Sequence, residues 1–147
     1  MTQVETHELK LERILNAPPE RVRQAFLDRD LIGQWFAPGP MTCQVHALDA
    51  KVGGQYEIAM QGQDDDGNPS THTATGTYQA IEDDRIVMSF NWSEEPLPNE
   101  TTLTAEFHPH DDGTRLVFIH SGFPNQEAVD MHTEGWEGCL AKLPDAL

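Results

Sequence analysis

The stretch QEAVDMHTEGWEGCLAKL, Gln126 to Leu143, reads as one long helix with a single apolar face. Val129, His132, Trp136, Cys139, Leu140 and Leu143 recur at spacings of three and four, the period that places side chains on one side of an α-helix. Such a stripe needs a surface to cover it. Most of the preceding chain reads as strand, and a helix that closes such a chain lies across the concave face of the sheet, with a core or a pocket between the two.

Ser121-Gly122-Phe123-Pro124 separates this helix from the last strand, Gly113 to His120. There Leu116, Phe118 and His120 form one row and Val117 and Ile119 the other, and the pattern leaves open which row is inside. Three more strands, Thr71 to Ile81, Arg85 to Trp92 and Glu100 to Pro109, are joined by turn-rich connections and predict an antiparallel meander. Upstream, Tyr56, Ile58 and Met60 share a face after the Gly53-Gly54 corner, which permits a sharp bend, and Met41 to Asp49 alternates weakly as a strand. Gln61 to Ser70 reads as a solvated loop. Counted from Asp64, a calcium loop would need glycine where Pro69 stands and glutamate where Thr75 stands, so that motif is absent. At the other end, His7 to Leu15 alternates as a half-buried strand with Arg13 on its apolar side, where a guanidinium needs a partner or a wet cavity. Pro18-Pro19-Glu20 starts a helix through Asp28, and a second short helix covers Asp30 to Phe36.

The chain has 147 residues, 37% of them hydrophobic, which suits one core and so a single domain over 1–147. Met1 to Lys10 has neither the basic start nor the apolar centre of a secretory signal, and no apolar run reaches membrane-spanning length. These features predict a soluble cytoplasmic protein, with Cys43 and Cys139 as reduced thiols. With 9 Lys and Arg against 25 Asp and Glu, the net charge of -16 argues against binding nucleic acid or anionic membranes. Neither a glycine-rich phosphate loop nor a nucleophile elbow is present, and no cofactor is expected.

Strand, two short helices, six strands and a long helix is the order of a helix-grip α+β fold, a curved antiparallel sheet wrapped around a long C-terminal helix. Trp35-Phe36-Ala37-Pro38, Asp49 and Lys51 before Gly53-Gly54, and Gly76-Thr77-Tyr78 carry a more specific resemblance. Arg85-Ile86-Val87, Gly113-Thr114-Arg115-Leu116, His120-Ser121-Gly122-Phe123 and His132-Thr133-Glu134-Gly135-Trp136 continue it in order. Together these resemble the bacterial relatives of the C-terminal domain of the activator of the heat-shock-protein-ninety ATPase, within the START-like superfamily. The resemblance implies a deep cavity between sheet and helix, used across the superfamily for lipids, polyketides and other hydrophobic molecules. It does not choose between binding, transport and catalysis.

The candidate ligand-binding residues are Arg13, Trp35, Tyr56, Tyr78, Phe90, His120, His132 and Trp136. The aromatic side chains supply surface for a flat apolar ligand, and equally an ordinary core. His120 and His132 flank the start of the long helix. Each can donate to a ligand, move a proton as a general acid or base, or satisfy a backbone carbonyl at the strand-to-helix junction. Neither Glu134 nor Asp130 shares the stripe with His132, so no metal site is read there. The first functional reading is therefore binding of a small hydrophobic molecule. The alternatives are a cyclase- or hydrolase-type enzyme using a cavity histidine, and a stress-related, co-chaperone-like interaction module. Val117 and Ile119 are compatible with a homodimer face or a second buried row.

Overall fold

A computed structural model describes residues 7–147. The reading of Met1 to Lys10 as free of a targeting signal falls mostly on residues outside that range. Along the chain come β1 (His7–Leu15), α1 (Pro19–Gln24), α2 (Arg29–Trp35), β2 (Thr42–Leu48), β3 (Gln55–Gln63), β4 (Pro69–Ile81), β5 (Arg85–Trp92), β6 (Thr101–His110), β7 (Gly113–Phe123) and α3 (Gln126–Ala146). All strand pairs are antiparallel, in a seven-stranded sheet of order β1-β7-β6-β5-β4-β3-β2. This is the helix-grip arrangement. The first strand closes against the last, so α1 and α2 must carry the chain from one edge of the sheet to the other.

Several boundaries differ from those read in the sequence, each for a local reason. Half of residues 61–70 are paired: the β3–β4 ladder runs to Gln63 opposite Pro69. Only the tip turns, where Asp64 Oδ1 accepts from the Asp66 and Asn68 amides at 3.0 and 2.9 Å and Gly67 takes φ 81°. The first helix stops at Gln24 because Asp28 caps the second, its carboxylate accepting from the Asp30 and Leu31 amides. β7 continues past His120, since Ser121 and Phe123 still pair with Glu8 and His7 of β1. α3 runs on through Pro144 to Ala146.

Curvature comes from the predicted corner. Gly53 has φ 85°, and a Cβ on Gly54 would collide with the Asp49 carbonyl oxygen. Both glycines also pair with Tyr78 of β4, through Gly53 N–H to the Tyr78 carbonyl and Tyr78 N–H to that of Gly54. A register shift in β4 between Tyr78 and Ala80 adds to the bend.

The concave face holds the core. Leu116, Phe118 and His120 are the inner row of β7, each 0% exposed, which resolves what the pattern left open. The outer Val117 is also buried, at 3%. From α3, Val129, Trp136, Cys139, Leu140, Leu143 and Ala146 face inward, and the helix packs on α2, β1 and β7. Asn125 caps it by accepting from the Ala128 amide at 2.9 Å. No helix among the described residues is long and apolar enough to cross a membrane.

Candidate functional site

The space between sheet and helix is largely filled by aromatic rings. Phe26 meets Trp35 edge-on at 4.8 Å and Phe107 at 5.5 Å, while Trp136 is ringed by Phe118 at 4.9 Å, Phe36 at 5.2 Å and Phe90 at 5.6 Å. Between these layers lies an open groove of about 340 Å³. One wall is the first half of α3, through Ala128, Met131, His132, Gly135, Trp136 and Cys139. The other is formed by Met60 of β3, His72 of β4 and Trp92 of β5, with Pro38 and Met41 closing one end and Glu94, Glu95 and Leu97 the rim.

The rim is held in place by side chains at its roots. Asn91 Oδ1 accepts from the Leu97 amide at 2.8 Å. Glu94 places one carboxylate oxygen on the Thr73 amide at 2.7 Å and the other on the Thr73 hydroxyl at 2.6 Å. These two bonds hold the Glu94 carboxyl below its ordinary pKa. The connection after β5 is thus pinned over the groove at both ends.

The two histidines form an interlocked set with two tryptophans. An indole N–H can only donate, so each indole identifies an accepting imidazole nitrogen. Trp92 Nε1 donates to His132 Nε2 at 3.0 Å, and His132 Nδ1 lies 2.7 Å from the Ala128 carbonyl, which makes Nδ1 the protonated nitrogen. Trp136 Nε1 donates to His120 Nδ1 at 3.0 Å. The Thr101 hydroxyl donates to the Phe90 carbonyl at 2.7 Å, so His120 Nε2–H donates to the Thr101 oxygen at 2.7 Å. The imidazoles meet edge-on at 5.6 Å. Burial and the neighbouring His132 push His120 well below the usual histidine pKa; His132 is lowered by burial, with the Ala128 bond acting against it. Both rings are held neutral.

Of the eight candidate residues, His132 and Trp136 line the groove. Trp35, Tyr56, Tyr78 and Phe90 lie in the core behind it. Their polar atoms bond to backbone: Trp35 Nε1 to the Ala25 carbonyl at 3.0 Å, Tyr56 to Ser89 at 2.5 Å and Tyr78 to Phe26 at 2.8 Å. His120 is buried one layer beneath His132. Arg13, half-buried on β1, donates to the Glu12 carbonyl at 2.8 Å and does not reach the groove. Sequence reasoning missed the methionines, the acidic rim and Gly135. Met131 carried the one available signal, an apolar residue off the helical stripe, and it is 66% exposed.

Chemically, the groove offers contact surface without an activated nucleophile. Burial raises the Cys139 thiol to about 12, with Lys142 partly offsetting it. The lone pair of His132 is occupied by Trp92.

The sequence matches the family described as Activator of Hsp90 ATPase homolog 1-like protein over residues 16–147. No curated protein matches it. Among solved structures, a Chromobacterium violaceum protein is 29% identical, with 94% of each chain covered and a TM-score of 0.83. The AHSA1 protein from Silicibacter pomeroyi, 21% identical, aligns over 95% of this chain and 96% of its own at a TM-score of 0.80. A Mycobacterium smegmatis protein, 20% identical, aligns over 95% and 90%, also at 0.80. At these last two identities the likeness is one of fold.

Proposed function

Because the chain belongs to the family of Activator of Hsp90 ATPase homolog 1-like proteins, START-like in fold, we propose that it binds a small hydrophobic molecule in the groove between α3 and the sheet. The observation that carries this reading is the wall itself. Methionine, tryptophan, leucine, alanine and cysteine side chains from both layers face one opening, and Met131 stands exposed beside it. A volume of about 340 Å³ suits a molecule of two or three fused rings. Binding without turnover is favoured because both imidazole lone pairs are engaged by indole N–H groups. A general base here would first have to lose a buried hydrogen bond. The free cysteines fit a cytoplasmic setting, and one 147-residue domain suffices for the site.

Gly135 makes the test clean. It lines the groove, and a Cβ built on it meets nothing within 4 Å, so a larger side chain there fills the groove without disturbing the core. Titration calorimetry with a neutral probe, naphthylmethanol, is expected to show saturable binding to the native chain and none to Gly135→Leu, whose Tm holds or rises because glycine is a poor helix former. Undiminished binding to that variant would place the ligand elsewhere. No binding to either protein would favour the co-chaperone-like interaction reading.

A further inference from the structure

Resting on the reading of the groove as a ligand site, we propose that its preferred occupants are aromatic molecules bearing a positive charge, such as aryl ammonium compounds, and that fatty acids and other organic anions are excluded. Among the described residues, Glu94 and Glu95 are the carboxylates on the lining, and no lysine or arginine lines it. The neighbouring cation, Lys142, is turned to the Met41 carbonyl at 2.9 Å. His72, on the same wall, has Nε2 3.1 Å from the Ser70 hydroxyl and its ring edge-on to Trp92 at 6.2 Å.

The geometry favours a cation in two further ways. Glu94 is anchored through both oxygens to Thr73, so its charge is held at the rim and does not have to be immobilised when a ligand arrives. Each of those oxygens retains acceptor capacity. Trp92, half-buried, has its N–H group engaged by His132, which leaves its ring to offer aromatic surface, and an indole face attracts a cation through its quadrupole. Met41, Met60 and Met131 add polarizable contacts suited to flat rings. Around the site, a net charge of -16 raises the local concentration of cations and lowers that of anions. A carboxylate ligand would enter against this field and meet two glutamates at the rim.

Three probes of one shape separate charge from hydrophobic contact: naphthylmethylammonium, naphthylmethanol and naphthoate. Calorimetry at low ionic strength is expected to rank them in that order, with the ammonium about tenfold tighter than the alcohol and the gap narrowing in salt. In Glu94→Gln/Glu95→Gln the gap between the ammonium and the alcohol is expected to narrow severalfold, because glutamine keeps the length and one acceptor, for the Thr73 amide, but not the charge. Gly135→Leu binds none of the three. If the ammonium and alcohol bind the native chain equally and Gly135→Leu abolishes both, the charge selection is overturned and the hydrophobic groove stands. A cation preference left undiminished in Glu94→Gln/Glu95→Gln assigns it to the general field and the indole, and overturns the selection by the rim glutamates. Failure of all three probes to bind in a Gly135→Leu-sensitive way removes both readings.

Discussion

His120 and His132 were placed by the sequence at one junction, flanking the start of the helix, but with three chemistries open to each. The difference between a base and a structural acceptor is a matter of which nitrogen is free, and that is decided by the indoles of Trp92 and Trp136, which come from distant positions in the chain. The consequence is a pH dependence with a definite sign. His120 has a folded pKa well below its ordinary 6.5, so the unfolded chain takes up a proton that the folded chain refuses. Its contribution is complete above about pH 6.5 and is lost progressively as pH falls below that value, by at most ~1.4 kcal/mol per pH unit. His132, half-buried and lowered in the same direction, adds a smaller effect of like sign. Urea denaturation of the native chain and His120→Gln between pH 7.5 and 5.5 checks this. The native protein should lose more stability than the variant over that interval, and parallel losses would show that His120 protonates as readily when folded. Arg13 illustrates the opposite case. The alternation placed it correctly on the inner side of β1, but its guanidinium bonds the Glu12 carbonyl at the margin.

The glycines of α3 and β4 show how an element's periodicity locates a face without revealing the clearance above it. Gly135 and Gly138 lie one turn apart on the same helix. Above the first there is open groove, whereas a Cβ on the second would come within 2.9 Å of the Pro38 side chain. In β4, Gly76 sits where a Cβ would collide with the Ser89 carbonyl oxygen and approach the Tyr56 hydroxyl at 2.7 Å. Gly76→Ala must therefore push β5 away or break the 2.5 Å bond from Tyr56 to Ser89, at a cost of about 2–3 kcal/mol. Chemical denaturation should show that loss, while a cost near zero would mean the sheet shifts freely at this point. Strand existence was legible throughout, because alternation in β3 to β7 is a property of each segment. The extents of β3 and β4 were not, since the polar residues 61–63 read as loop until their partners across the ladder were known.

At the scale of the whole molecule, acidic excess is the dominant electrostatic fact. Arg85–Glu82, Arg115–Glu12 and Lys51–Asp49 are ion pairs on the surface, with side chains 41–73% exposed, and each contributes little. Screening therefore relieves more repulsion than it removes attraction. Raising sodium chloride from 0.02 to 0.3 M should increase Tm by roughly 3–6 °C, and a fall in Tm on the same scan would show that specific pairs outweigh the net charge of -16. What the sequence by itself determined is the order and kind of the elements, the inward face of α3 and the helix-grip class, because each follows from local periodicity and turn chemistry. Only the tertiary structure decided that aromatic rings pack between sheet and helix, that a groove with two glutamates on its lining opens beside them, and that both histidines are spent on indoles. Those outcomes depend on the pairing of β1 with β7, on the length of the β3–β4 ladder and on the seating of α3 against α2. Such long-range packing brings together residues whose proximity no local pattern encodes.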